Sequence, residues 1–352
     1  MTSYRERVKV GTRFYLHLLY IFAITMLAGA CVLGFLWFWL SDYERKSPEG
    51  SLHIYLNNIR KGNYSELYEE SKNVFYQLND EETYAKYLKQ TYQNVDLSKA
   101  GFVKLSYSDN VFSYYDIIVD GDYVASLQST KADDGKRYYV RTNFNQYNYF
   151  FEKFNDASSI KVNGLELIGN ISPTDNMESR LFEGSNTPND IMVTRYYLDN
   201  ILKEPKVTTD DPDSVVVKDL ANNVYYIGDK PDKETLSTYE DLIYKVATTY
   251  CKYITKDAMY YEIRRLLYPN TTFQEALSTF ENTWFTDHQS IEFKNVKIFD
   301  IMEFDEGFIG SISFDYVVIA DDEVSKTYTS TYQLTFMNRY GQYLASNLKI
   351  GE

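Results

Sequence analysis

One long apolar segment dominates the pattern of hydrophobic and polar positions along the chain. Residues Phe14 to Leu40 include no Asp, Glu, Lys or Arg over 27 consecutive positions. A helix needs roughly 20 apolar residues to cross a hydrocarbon core, so this segment is long enough to span a bilayer with some tilt. The pattern predicts one transmembrane helix over residues 14–40, followed by a large polar body.

The flanks of the apolar segment predict its orientation. Four basic residues and one acid precede it, whereas acids outnumber bases among the ten residues that follow it. By the positive-inside rule, residues 1–13 form a cytoplasmic tail and the body lies outside the cytoplasm. The apolar region of a cleaved signal peptide spans only about 7 to 15 residues, and Trp37 and Trp39 near the end of this one suit a membrane interface. We therefore expect an uncleaved signal anchor in the cell membrane.

Two small residues in the predicted anchor have the spacing that allows close helix packing. Ala30 and Gly34 lie four positions apart, on one side of the helix. Small residues at this spacing let two helix backbones approach in a membrane. A homodimer formed through Ala30 and Gly34 is therefore a hypothesis.

The first part of the body predicts helices followed by strands. Helical spacing extends over residues 48–59 and 64–76, with a break at Lys61-Gly62-Asn63, and Asn79 or Asp80 can cap a third helix that contains Tyr84. Four strands are predicted next, at residues 102–107, 112–119, 123–129 and 137–144, with a tight turn at Asp120-Gly121. This order is typical of an α+β domain, which we assign to residues 41–155.

The last part of the body repeats this order. Six apolar residues fall on one face of a predicted helix: Tyr239, Leu242, Ile243, Val246, Tyr250 and Ile254. Shorter helices are expected over residues 258–267 and 272–285. The period then changes to two, so that Phe308, Ile312, Phe314, Tyr316 and Val318 face the core while Ser311, Ser313 and Asp315 face away from it. A second α+β domain is predicted over residues 233–352.

A region rich in β-strand signals separates the two predicted domains. Asn163-Gly164 lies between short apolar runs and supplies the positive φ angles that a two-residue hairpin turn requires. Residues 215–217 and 224–226 predict a second hairpin. The sequence thus predicts an α+β fold: an N-terminal transmembrane helix and two tandem domains, each with helices packed on a curved antiparallel sheet, joined by a β-rich spacer over residues 156–232.

Short motifs in the body resemble a known family. The segment Leu56–Tyr64, a helix that ends at Lys61-Gly62, is followed by the Tyr84 helix and its strands. This arrangement resembles the nuclear-transport-factor-2-like domains of bacterial envelope proteins, including the non-catalytic N-terminal domain of some penicillin-binding transpeptidases. Val162-Asn163-Gly164 and residues 197–205 resemble the β-rich spacer of related Gram-positive membrane proteins. The resemblance implies cone-shaped α+β domains with a pocket between helices and sheet, and no set of catalytic residues.

Charge and composition limit the classes of function. The net charge is −14, and the body after residue 40 carries −17 because the tail is basic. Such a body is not expected to bind nucleic acid. Three histidines and two cysteines without ligand spacing predict neither a metal site nor a cofactor. Strings similar to transpeptidase motifs, at residues 158–161, 108–110 and 326–328, occur in the wrong order, and the last lacks the glycine.

Four residues are candidates for pocket or partner contacts. His288, near Trp284, could line a pocket of the second domain as a general base, although a loop histidine without a role has the same pattern. Tyr149 and Phe150 belong to an aromatic run that could stack on a glycan or a protein partner. The same run would also suit an edge strand or a short helix that packs between the first domain and the spacer.

The predicted function follows from the anchor and from the missing catalytic motifs. We expect a non-catalytic, membrane-anchored, extracytoplasmic binding or scaffold protein of a bacterial cell envelope, with a protein or cell-wall component as partner. The alternative is a pocket enzyme or small-ligand receptor that uses the second domain near His288.

Overall fold

A computed structural model describes residues 2–72, 78–108, 111–132, 138–144, 147–157, 159–187, 191–281, 288–320 and 323–351. The chain divides into two compact units, residues 1–145 and 146–352.

The first unit begins with the predicted apolar helix. Helix α1 extends over Thr2–Arg45 and includes the apolar span Phe14–Tyr43, which is long and apolar enough to cross a membrane. Its large side chains are exposed along the whole span; Phe35 and Trp37, for example, are 69% and 73% exposed. An exposed apolar surface of this extent is unfavourable in water, so it marks a surface that another apolar phase or partner covers. The predicted helix is confirmed, and it continues beyond the apolar residues at both ends.

The first unit contains three further α-helices among its described residues, and side-chain caps begin two of them. The three are α2 (Pro48–Lys61), α3 (Tyr64–Ser71) and α4 (Glu81–Thr91). The Ser47 side chain caps α2, and Gly62, at φ +76°, ends it because glycine adopts the left-handed conformation without strain. Asp80 caps α4 by accepting a hydrogen bond from the backbone N–H of Thr83.

These helices accompany a four-stranded antiparallel sheet. Its strands, in the order β1-β2-β3-β4, are β1 (Gly101–Lys104), β2 (Phe112–Val119), β3 (Asp122–Lys131) and β4 (Tyr138–Asn143). Asp120 and Gly121 both have positive φ, which confirms the predicted β2–β3 turn. The predicted strand over residues 102–107 is wrong beyond Lys104, because the Ser108 hydroxyl and N–H both bond to the Leu105 carbonyl and close a turn there.

The core of the first unit contains hydroxyl groups as well as apolar side chains. Leu52, Leu88 and Leu127 are completely buried. The buried Tyr55 hydroxyl accepts a hydrogen bond from the Thr142 N–H at 2.9 Å and lies 3.0 Å from the Thr142 hydroxyl. Because buried polar groups must be paired, these contacts link α2 to β4.

The second unit contains most of the strands. They are β5 (Tyr147–Lys153), β6 (Lys161–Val162), β7 (Leu165–Glu166), β8 (Thr174–Glu178), β9 (Met192–Ile201), β10 (Val207–Thr208), β11 (Ser214–Lys218), β12 (Val224–Asp229), β13 (Ser290–Phe304), β14 (Gly307–Ala320), β15 (Glu323–Arg339) and β16 (Gln342–Ile350). The Asn163-Gly164 hairpin joins β6 to β7 in a small sheet with β10, and β11 pairs with β12 as predicted.

One large sheet joins the predicted spacer to the last part of the chain. Its order is β16-β15-β14-β13-β12-β5-β9-β8, with β11 attached to β12. Strand β5 pairs in parallel with β12 and antiparallel with β9, and β12 meets β13 at Asp229 and Glu303. The α+β class is confirmed, whereas two tandem copies of one domain are not, because strands from residues 147–229 and 290–350 form a common sheet.

Two helices of the second unit are shorter than the sequence pattern predicts, and the long first one covers its predicted apolar face. The helices are α5 (Lys233–Ile254), α6 (Tyr260–Arg264) and α7 (Thr272–Ser278). The expected helix over residues 258–267 ends early because the backbone of residues 266–268 instead bonds to Ala345 of β16. The expected helix over residues 272–285 ends at Ser278, where the Leu277 carbonyl accepts a hydrogen bond from the Tyr253 hydroxyl; residues 282–287 lie outside the described part of the chain.

Aromatic rings fill the space between α5 and the sheet. Tyr239 stacks on Phe308 at 3.7 Å between ring centroids, and Phe308 stacks on Phe336 at 4.4 Å. Ile243 and Val246 lie in the same cluster and are buried. The predicted inner faces of α5 and β14 are therefore correct.

The outer face of β14 differs from the prediction. Ser311, expected to face away from the core, is completely buried and lies 3.4 Å from the side-chain nitrogen of Gln333. A second apolar cluster that includes Val217, Tyr226 and Ile309 covers this face. Because the β11–β12 hairpin packs there, the first half of β14 is buried on both sides.

Candidate functional site

The predicted pocket residue His288 belongs to a hydrogen-bonded chain. Its Nε2 atom lies 3.0 Å from the Asp257 carboxylate, which also accepts a hydrogen bond from the Thr255 hydroxyl. The Tyr316 hydroxyl donates to Thr255 at 2.8 Å. Only 4% of the His288 side chain is exposed. These contacts join the segment after α5 to β14, and Trp284 lies outside the described residues, so a catalytic or ligand-binding role for His288 remains a prediction.

Tyr149 and Phe150 lie on β5, which has a neighbouring strand on each side. The interpretation as an edge strand or a short helix is therefore wrong. Tyr149 is 3% exposed, and its ring centroid lies 6.0 Å from that of Tyr225. Phe150 is half-buried and packs 5.2 Å from Tyr197. The Arg180 guanidinium carbon lies 3.9 Å from the Phe150 ring centroid, so a basic side chain contacts this candidate residue.

The carboxylate of Glu152, which is completely buried, binds residues next to this contact. Glu152 follows Phe150 on β5 and faces Arg195 directly across the β5–β9 ladder. Its Oε1 atom lies 2.6 Å from Arg195 Nη2 and accepts a hydrogen bond from Arg195 Nε at 2.8 Å. The Ser179 hydroxyl donates to Oε2 at 2.7 Å, and the Arg180 N–H donates at 3.0 Å. Because a buried charge is costly unless paired and hydrogen-bonded, this set of donors accounts for a carboxylate at full burial.

These contacts also determine the course of the chain after β8. Ser179 caps a short 3₁₀ turn over Arg180–Phe182 by accepting a hydrogen bond from the Leu181 N–H. Leu181 is completely buried. Glu152 therefore holds the start of this turn against β5, and Arg180 projects next to Phe150.

Arg180 has few partners of its own within the described residues. Its Nε atom is buried without a hydrogen-bond partner there, and its nearest carboxylate, Glu183, lies 3.9 Å from Nη1. That distance exceeds hydrogen-bonding range. The guanidinium therefore contacts an aromatic face and retains donors that no described side chain uses.

A cavity of about 710 Å³ lies beside Arg180, between β8, β9 and the segment after the 3₁₀ turn. We call it the arginine groove; its charged lining residues are Glu178, Arg180, Glu183 and Arg195, and its apolar ones include Met177, Phe182 and Met192. This volume is within the range of small-molecule pockets. The lining mixes apolar and hydrogen-bonding side chains.

A second cavity of about 710 Å³ lies next to the arginine groove and shares Asn176 and Met192 with it. Its lining contains one lysine and four aspartates: Lys153, Asp156, Asp175, Asp229 and Asp305. The two cavities therefore differ in charge.

Among the described residues, no group of three or more histidine, cysteine, aspartate or glutamate side chains has the arrangement of a metal site.

A separate buried ion pair links β16 to the residue that follows β11. Asp219, completely buried, accepts hydrogen bonds from Lys349 of β16 and from the Tyr226 hydroxyl. Burial, together with the Asp219 carboxylate, raises the pKa of Tyr226 far above its usual value, so this phenol remains a donor. The arrangement ties the β11–β12 turn to the end of the sheet, and we assign it a structural role.

Burial also makes the thiol of Cys251 unreactive. This residue of α5 is 5% exposed, and its sulfur lies 3.6 Å from the Tyr332 hydroxyl. Burial raises the pKa of the Cys251 thiol to about 12. At pH 8 we therefore expect about a thousandfold less thiolate than in an ordinary cysteine.

In a Cys31→Ser chain, iodoacetamide should label Cys251 only after guanidinium denaturation. If the native chain is labelled as fast as the denatured chain, burial does not protect this thiol.

Comparisons with known proteins do not place the chain in a family. No protein-family model and no curated protein sequence matches it. A solved structure described as an "Ntf2 like protein involved in plasmid conjugation" aligns with 71% of this chain and 74% of its own, at 10% sequence identity and a TM-score of 0.26. A likeness at this TM-score supports no inference about fold or function.

Proposed function

We propose that the chain is a single-pass membrane protein whose body lies outside the cytoplasm and binds another component of a bacterial cell envelope without catalysis. The observation that carries this proposal is the exposed helix Phe14–Tyr43, 30 residues long, with a mean hydropathy of 2.3 in its most apolar stretch. None of that stretch is buried within the protein. A surface of this kind is stable in lipid, and the basic residues before it favour a cytoplasmic N-terminus.

The body supports a binding role. In each unit helices precede a set of antiparallel strands, with α2–α4 before β1–β4 and α5–α7 before β13–β16. We propose that these parts are two nuclear-transport-factor-2-like domains, and that residues 156–232 form the β-rich spacer between them. The arginine groove, on this spacer, is a surface that such a protein can use to hold a partner.

Membrane fractionation with a topology reporter tests the proposal. We expect the full chain to resist carbonate extraction, and a C-terminal tag to be accessible to protease from outside the cell. The double variant Leu27→Arg/Leu33→Arg should move to the soluble fraction, because each arginine near the centre of a spanning helix costs about 2.5–3.5 kcal/mol on insertion scales. Leu27→Ile/Leu33→Ile is the matched control and should remain in the membrane. A C-terminal tag accessible only from the cytoplasm would overturn the proposed orientation.

A further inference from the structure

We propose that the arginine groove binds an extended polypeptide segment through a carboxylate that pairs with Arg180. This inference makes the proposed binding role more specific. That the polypeptide belongs to the cell envelope rests on the proposed function. The groove itself is independent of how α1 is oriented in the membrane.

Arg180 is suited to this role because its guanidinium forms an ion pair with Glu183 but makes no side-chain hydrogen bond within the described residues. Arg195, the other arginine in the groove, already pairs with the buried Glu152 and donates to the Glu178 carbonyl. Arg180 has a carboxylate only at 3.9 Å, and that residue, Glu183, is 75% exposed and free to move away. A planar guanidinium with unused donors matches a carboxylate through two parallel hydrogen bonds.

The position of Arg180 is determined before any ligand arrives. Its backbone N–H is held by Glu152, and its guanidinium lies against the Phe150 ring. Its side chain remains 36% exposed, so a ligand in the groove can reach it. A cation already positioned on an aromatic face loses little conformational freedom on binding, which favours affinity.

The surroundings favour a polypeptide over other anions. Met177, Phe182 and Met192 give the groove apolar contacts that a free small anion would not use. Four aspartates line the adjacent cavity and would repel a polyanion or an anionic membrane surface. A single carboxylate on an otherwise uncharged chain fits both features.

The groove also offers hydrogen-bonding side chains. Asn186 and Thr187 line it together with Arg180. A polypeptide whose carboxylate pairs with Arg180 could therefore also form hydrogen bonds from its main chain to this amide and this hydroxyl.

A peptide array tests the inference on the full-length chain in detergent micelles. The probes are acetylated and amidated hexapeptides of alternating valine and threonine that carry Asp at each position in turn, with Asn peptides as controls. A third set has Asn and a free C-terminal carboxylate, which distinguishes a side-chain carboxylate from a chain end. We expect at least one carboxylate peptide to bind about tenfold more tightly than its uncharged counterpart, as one charge-assisted bidentate pair implies.

The variants make the result specific to Arg180. Arg180→Gln should remove the preference for the carboxylate, and Arg180→Lys should retain only part of it because an ammonium lacks the planar fork. Arg339→Gln, which removes another arginine that lies near an aromatic ring, should leave the preference unchanged. Circular dichroism confirms that each variant is folded.

Three outcomes would overturn the inference. They are equal binding of carboxylate and uncharged peptides, a preference that persists in Arg180→Gln, and Arg180-dependent binding to phosphatidylglycerol vesicles without peptide binding. Each can occur while the chain still fractionates with membranes in the proposed orientation. Failure of this inference is therefore distinguishable from failure of the proposed function.

Discussion

Arg195→Met is expected to lower the free energy of unfolding of the second unit by about 3–5 kcal/mol, because it leaves the completely buried Glu152 without its counter-ion. Ser179 and the Arg180 N–H would still donate hydrogen bonds to Glu152, but neither carries a charge. Guanidinium denaturation of the full chain in detergent, followed by circular dichroism, measures the change.

A control and a double variant separate this effect from a general loss of a surface charge. Lys294→Met removes the cation of an exposed pair with Glu292 on β13, where the two side chains are 55% and 47% exposed. It should cost less than about 1 kcal/mol. Arg195→Met/Glu152→Leu removes both buried charges and should be more stable than Arg195→Met alone. If the double variant is less stable than the single one, the uncompensated charge is not the cause.

Phe308→Ala is expected to cost about 3–5 kcal/mol, because it opens a cavity in the buried cluster between α5 and the sheet. The Phe308 ring is completely buried and stacks on one side against Tyr239 and on the other against Phe336. These two rings belong to α5 and β15, so the substitution removes contacts between the helix and two strands of the sheet. Thermal unfolding of the full chain should show a lower midpoint.

The matched control replaces an aromatic residue that is almost fully exposed. Tyr340, in the turn after β15, is 95% exposed. Tyr340→Ala should change the free energy of unfolding by no more than about 0.5 kcal/mol. Comparable losses for Phe308→Ala and Tyr340→Ala would show that the stacked cluster does not contribute to stability as described.

Local signals in the sequence were sufficient for many elements of the fold. The apolar segment, the Gly62 helix end, the Asp80 cap and the turns at Asp120-Gly121 and Asn163-Gly164 all lie where the pattern predicts. Each depends on interactions within a few residues, such as a capping hydrogen bond or a permitted positive φ angle. The inner face of α5 also follows, because helical periodicity is a local property.

The candidate site was only partly predictable. The aromatic run of β5 indicated Phe150, but nothing in its spacing indicated that Arg180 would lie over that ring. Glu152 and Arg195 are separated by 42 intervening residues and meet only because β5 and β9 are adjacent strands in one register. A pattern of two alternating faces predicts which residues point together on one strand, but not which strand lies beside it.

By itself, the sequence determined one long apolar helix, a polar acidic body and an α+β class, because these depend on composition and on local periodicity. Only the tertiary structure decided that β5, β8, β9, β11 and β12 share a sheet with β13–β16, that the outer face of the first half of β14 is covered, and that a buried carboxylate positions two arginines beside a cavity. These features depend on strand order and on burial. Both arise from contacts between residues far apart in the chain, where the free energy of packing outweighs local preference.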